Sequence, residues 1–136
     1  MYNDIIITNF TAPTCSGELT SPDVTFMVGN SVCGDRIEIA LNTKNQSITE
    51  AKFQAWGCAT SVATANIFCN AITEKSASQI QQWPVSDMAP LLGDLEPSQQ
   101  HCVAILEGLF EELAKSINST NGEMTFNVEA KHVSAT

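Results

Sequence analysis

The spacing of apolar residues changes twice along the chain, and each change marks a new kind of segment. Tyr2 to Phe10 carries the Ile5-Ile6-Ile7 run in a short amphipathic helix pattern, closed by Thr11-Ala12-Pro13. Thr14 to Asp23, rich in Ser, Thr, Pro and Gly, reads as a loop. Three stretches then follow a strand pattern. Val24 to Val28 ends at Gly29-Asn30, Arg36 to Leu41 places Ile37, Ile39 and Leu41 on one face, and Ile48 to Trp56 continues through Phe53 and Ala55. They predict three antiparallel strands, with Asn42 to Ser47 as a hairpin turn; Asn30 to Asp35 separates the first pair with turn-prone residues and a cysteine.

After Gly57 the period becomes helical. Val62, Ala65, Cys69 and Ile72 share one face of a small-residue helix, Ala59 to Thr73, that begins right after Cys58. Ser76 or Ser78 caps a short helix ending near Trp83-Pro84, and Asp87 to Leu92 forms another turn before Gly93 stops it. Ser98 to Ile117 is the longest periodic segment, its stripe of Cys102, Ile105, Leu106, Leu109, Phe110, Leu113 and Ile117 opposite Glu107, Glu111, Glu112 and Lys115. Asn118 to Gly122 reads as a turn, and Met124, Phe126 and Val128 alternate as a late strand before a polar tail that holds a solvated His132. Strands first and helices afterwards predict an α+β fold: a three-stranded antiparallel sheet packed against two long helices, with short helices besides.

At 136 residues the chain has the size of one domain, with 1–23 as N-terminal helix and loop and 120–136 as tail. Apolar residues make up 43% of it, enough for a core without staples. A net charge of −9 repels phosphate backbones and anionic lipid, which argues against nucleic acid or membrane as partner. The N-terminal apolar run is too short for a secretory segment or a span, so the expected setting is cytoplasmic. The five cysteines, 15, 33, 58, 69 and 102, are then reduced thiols.

Three features sit where regular elements begin or end: Cys33-Gly34-Asp35, Gly57-Cys58-Ala59 and His101-Cys102. Three thiolates with a carboxylate and an imidazole form a set of three soft and two exchangeable donors for iron or zinc. A permanent cluster takes four thiolates; three suit a site that accepts a metal or cluster and gives it up. The spacing fits no generic zinc motif, so buried structural cysteines stay a competing reading. Cys58 at a helix N-terminus is placed for a lowered thiol pKa. Cys69 reads as core, and Cys15, expected to be exposed in its loop, as incidental. A Cys-His-Asp hydrolase from Cys58 or Cys102 with His101 and Asp35 is disfavoured for Cys102, because neighbours on a helix point about 100° apart; Cys58 with His101 stays conceivable.

The segments Gly29 to Asp35, Trp56 to Ala59 and His101-Cys102, in this order, resemble the signature segments of the IscU/NifU-type iron–sulfur cluster assembly scaffolds. The likeness runs from Tyr2 to near Ile117. It implies a scaffold rather than an enzyme, on which a transient [2Fe-2S] cluster is built from iron and from sulfur delivered by a cysteine desulfurase, then passed to acceptor apoproteins. A frataxin-like protein and a ferredoxin are implied as accessory partners, and zinc as an occupant of the cluster-free form. Carried over, Cys33, Cys58 and Cys102 are the thiolate ligands, Asp35 and His101 the exchangeable ones, Cys102 the persulfide acceptor, and Asp35 the residue that promotes release. The alternative within the same residues is a zinc-binding persulfide acceptor. The His before the last cysteine and the lack of a long insertion between Cys58 and Cys102 favour the IscU branch over the SufU branch.

The chain also departs from the family. Leu95-Glu96-Pro97-Ser98-Gln99 stands where bacterial members carry the Leu-Pro-Pro-Val-Lys motif of an Hsp70-type chaperone, which argues against chaperone-stimulated transfer. Ser31 replaces a proline, Asn9 replaces a histidine, and the tail from Asn121 differs.

Overall fold

The computed structural model describes residues 2–30, 35–120, 123–126 and 131–135. Helix α1 (Asp4–Thr11) starts at Asn3, whose side-chain oxygen accepts from the Ile6 N–H at 2.8 Å. The Asn3 amide donates to the Leu92 and Asp94 carbonyls at 2.9 and 2.7 Å, which ties the helix start to the turn at Gly93. Gly93 has φ 73°, a left-handed turn that favours glycine, and a Cβ there would meet the tip of the Ile5 side chain at 2.9 Å, which would have to move aside.

Strands β1 (Val24–Asn30), β2 (Asp35–Lys44) and β3 (Ser47–Trp56) form the antiparallel sheet that the alternation predicts. The register aligns Phe26, Ile39 and Phe53 in one row on the inner face. All three are buried, so a slip of one residue would turn the row out to water. The β2–β3 turn is the two residues Asn45-Gln46, with φ 53° and 65°, the left-handed pair whose twist matches a hairpin. A bulge at Asn42/Thr43 lets Ile48 and Ala51 both point inward although three residues apart.

Helix α2 (Ala59–Ile72) packs against α1, β2, β3 and a second long helix, α4 (His101–Ala114). Enclosed on these sides, α2 buries ten of its residues, which explains its small, weakly amphipathic composition. Phe68 is its anchor, edge-on to Phe26 and Phe110 with ring centroids 6.1 and 5.0 Å away. Helix α3 (Ala77–Gln81) begins in a capping box: Ser76 accepts from the Gln79 N–H, and Gln79 accepts from the Ser76 N–H. Two 3₁₀ turns, Val85–Asp87 and Ala89–Leu92, lead to Gly93. Among the described residues no helix is long and apolar enough to cross a membrane.

The C-terminal third corrects the pattern-based reading. The helix expected over Ser98 to Ile117 is a 3₁₀ turn, Pro97–Gln99, followed by α4; Ile117 opens strand β4 (Ile117–Thr120), so the turn expected at Asn118 to Gly122 is in part a strand. The Ser116 N–H reaches back three residues to Leu113 O and closes the helix, while β-branched Ile117 pairs with Phe126 in β5 (Glu123–Phe126). Val128 lies outside the described residues. The polar tail contains β6 (Lys131–Ala135), which pairs parallel with β1 and extends the sheet to the order β3-β2-β1-β6. An open strand edge offers backbone N–H and C=O groups to a partner whatever its side chains, so polarity did not announce this strand.

Candidate functional site

The sheet register builds one end of the molecule. Asn30 pairs with Asp35 and Arg36 with Trp56, so the end of β1, the start of β2 and the exit of β3 lie together. The Arg36 guanidinium stacks over the Trp56 ring, 4.1 Å from its centroid, and fixes this corner. Cys33 lies outside the described residues, as does the side chain of Asp35. From Trp56 the chain turns through Gly57, at φ 147°, and delivers Cys58 to the N-cap of α2. That extended, positive-φ corner is glycine territory and leaves the Cys58 sulfur exposed at the rim.

Opposite Cys58 stands the first turn of α4 with His101 and Cys102. Thr60, 2% exposed, joins the two sides: its Oγ1 lies 2.8 Å from Cys58 Sγ and 3.3 Å from His101 Nε2. Cys102 is wholly buried behind it, with the Thr60 and Thr64 hydroxyls against its sulfur. Thr64 Oγ1 is buried and has no hydrogen-bond partner among the described residues. Cys58, Thr60 and His101 line an open cleft of about 490 Å³ together with Tyr2, Glu96, Ser98 and Gln99.

The two sulfurs differ in character. Partial burial pushes the Cys58 thiol up, but the hydroxyls of Thr60 and Ser61 and the amides of the first turn of α2 outweigh it, and the net pKa is lowered. For Cys102 burial wins over the opposing influence of the nearby Thr64 and Thr60 hydroxyls, and the charge on Cys58 adds to it, so its pKa is raised. One sulfur is thus exposed at the surface with its pKa lowered, and the other is enclosed with its pKa raised. Iodoacetamide is expected to label Cys58 more than ~10-fold faster than Cys102 in the metal-free protein at neutral pH, with the difference vanishing in denaturant. Thr60→Val, which keeps the shape and removes the hydroxyl, slows labelling of Cys58, and Thr60→Ser restores it; peptide mapping by mass spectrometry reads both.

His101 bonds to Thr60 rather than to Cys58, so no thiol–imidazole pair is formed and the Cys-His hydrolase arrangement is not built here. Among the described residues no three His, Cys, Asp or Glu side chains stand at metal-holding distance from one another. The structure brings Cys58 and His101 to one cleft around Thr60, a residue that sequence reasoning missed, with Cys102 buried behind it. Thr60 and Thr64 are spaced i, i+4 on α2, a legible sign of two hydroxyls on one face; only the packing of α4 shows what they face.

The remaining cysteines lie elsewhere. Cys69 is buried in the core, as its spacing implies. Cys15, expected to be exposed, is instead 9% exposed, because its backbone is held between β3 and α2: its N–H donates to Asn66 Oδ1 at 2.8 Å, and its carbonyl accepts from the Phe53 N–H at 3.0 Å.

Residues 1–121 match the family of NifU-like N terminal domains. The chain belongs to that family. Among curated relatives of this NifU-like chain, the iron–sulfur cluster assembly scaffold protein IscU 1 of Archaeoglobus fulgidus is 31% identical over 102 residues, covering 75% of this chain and 67% of the relative. The IscU scaffold protein of Azotobacter vinelandii is 26% identical over 125 residues, 89% of this chain and 97% of its own length. Among solved structures, a putative scaffold protein for the SUF system from Fervidobacterium islandicum has the same fold at TM-score 0.57 and 18% identity, covering 81% of this chain and 82% of that one.

Proposed function

We propose that this NifU-like chain is a scaffold on which an iron–sulfur cluster is assembled and from which it is handed on. The observation that carries the reading is the convergence of Cys58, His101 and Cys102 around Thr60, at the sheet end where the backbone flanking Cys33 pairs. The cluster is cargo, so its site has to be reachable. An exposed Cys58 on an open cleft suits arrival and departure, and a fully enclosed cysteine set would not.

In this reading Cys33, Cys58 and Cys102 supply thiolates to a [2Fe-2S] cluster, and His101 and Asp35 supply the exchangeable donors. Sulfur comes from a cysteine desulfurase as a persulfide accepted by Cys102. Because Cys102 sits behind Thr60, delivery requires the first turns of α2 and α4 to part. Incoming iron meets Cys58 first, the exposed sulfur at the rim, whose pKa is lowered. The net charge of −9 suits a donor with a basic docking face. The test is anaerobic reconstitution with ferrous iron, cysteine and a desulfurase, read by visible absorption. A sulfide-to-iron charge-transfer band supports the scaffold, and a chain that stays colourless while its thiols remain reduced refutes it. Zinc together with persulfide on Cys102 but no chromophore would make the chain a sulfur acceptor instead.

A further inference from the structure

Cys15 and Cys69 are not used by the cleft, yet the fold holds them together. Asn66 and Cys69 lie three residues apart on one face of α2. Asn66 fixes the Cys15 backbone at 2.8 Å and Asn70 donates to Thr14 Oγ1 at 3.4 Å, so the loop lies along the turn of α2 that carries Cys69. The loop is pinned from the other side by β3 through Phe53 N–H to Cys15 O and Gly17 N–H to Phe53 O, both 3.0 Å. Asn66 also donates to Asn9 Oδ1 at 2.7 Å, so α1, the loop and α2 meet at this point. Cys69 lies eleven positions beyond Cys58 along α2, roughly 16 Å at the α-helical rise, which sets the pair apart from the cleft.

We propose that Cys15 and Cys69 form a second thiol site, a redox-modification pair in which a hydroperoxide oxidises Cys15 and Cys69 resolves the product to a disulfide. The division of labour follows from placement. Cys15, with 9% of its surface accessible, can be reached by a small oxidant, and Cys69, with none, can be reached only by Cys15. Charge supports the same order. The hydrogen bond from Cys69 lowers the Cys15 pKa against the effect of burial, Thr14 and the Lys52 cation lower it further, and the result is about 6. The same contact, with burial, holds Cys69 well above its usual range and therefore protonated.

The chemistry balances. The Cys15 thiolate attacks one peroxide oxygen, an S–O bond forms, the O–O bond breaks, and hydroxide leaves, giving a sulfenic acid. The Cys69 sulfur then attacks the Cys15 sulfur; an S–S bond forms, the S–O bond breaks, and the departing hydroxide takes the Cys69 proton as water. The two thiols lose two electrons, which the peroxide gains. Two equivalents of a small thiol reverse the change by exchange and leave as their own disulfide. The disulfide would staple the loop after α1 to the middle of α2.

The test uses the full chain, fully reduced and then treated with one equivalent of hydrogen peroxide at pH 7.5. The remaining thiols are alkylated and linked peptides are mapped by mass spectrometry. The expected product is a Cys15–Cys69 linkage that dithiothreitol reverses. Cys15→Ser lowers that linkage to background and leaves Cys69 unmodified, and Cys69→Ala leaves Cys15 as a sulfenic acid trapped by dimedone. Cys15 and Cys69 both still alkylatable while Cys58 has been oxidised, or Cys15 linked to another cysteine, would overturn the proposal. The wild-type map decides the matter even where a variant folds poorly, and it is independent of whether the cleft carries a cluster.

Discussion

Cys58→Ala is expected to leave the chain colourless after anaerobic reconstitution, with the folded state intact by circular dichroism. Cys58 is exposed at the N-cap of α2, packs nothing in the core, and its loss leaves no cavity. Its sulfur is nevertheless the one that the first turn of α2 holds toward the thiolate form. Removing a group that merely orients a ligand costs metal sites about 10–100-fold in affinity, and removing a soft ligand costs more. Cys33→Ala is expected to do the same. Asp35→Ala should act in the opposite sense and keep the colour longer, since a hard, labile carboxylate is exchanged for none and release loses its weakest link. Visible absorption followed over hours checks all three. A Cys58→Ala protein that develops the wild-type spectrum would remove Cys58 from the ligand set and with it the scaffold reading.

Phe68→Ala is expected to destabilise the fold by about 3–5 kcal/mol, the range for truncating a buried aromatic. Phe68 is wholly buried and central in a ring series that runs from Phe26 on the sheet to Phe110 on α4, with Trp83 against Phe110 at 5.0 Å. No neighbour can collapse into the space, because α2 is enclosed by the sheet, α1 and α4. Domains of this size have about 5–15 kcal/mol in all, so the loss is a large fraction of the total. Urea unfolding followed by tryptophan fluorescence measures it. A cost under about 1 kcal/mol, the level of a surface change, would show that the aromatic series does not hold α2 on the sheet. The consequence reaches the cleft, since α2 carries Cys58 and Thr60 and only its packing against α4 holds them opposite His101 and Cys102.

Much of the cleft was legible as residue type. A cysteine after a glycine at a strand-to-helix change, and a His-Cys pair at a helix start, are local signals because the chemistry of the flanking residues sets the local backbone. Thr60 was not legible as a linking residue. A hydroxyl in the first turn of a helix looks like ordinary small-residue composition until a second helix is known to bring an imidazole to within 3.3 Å of it. Cys15 shows the same limit in reverse. Its Ser- and Gly-rich surroundings imply exposure, but the Asn66 side chain, 51 residues away in sequence, pulls its backbone under.

The sequence by itself determined the strands β1 to β3, their inward faces and the helices α1, α2 and most of α4, because side-chain period, turn residues and caps act over a few residues. The tertiary structure alone decided where α4 yields to a strand, that a polar tail pairs with β1, that Cys58 is open while Cys102 is enclosed, and that Cys15 meets Cys69. Each of these depends on which distant backbone or side chain fills the adjacent space. Burial, and with it the charge state of a thiol, is a property of that neighbourhood, and no local pattern encodes it.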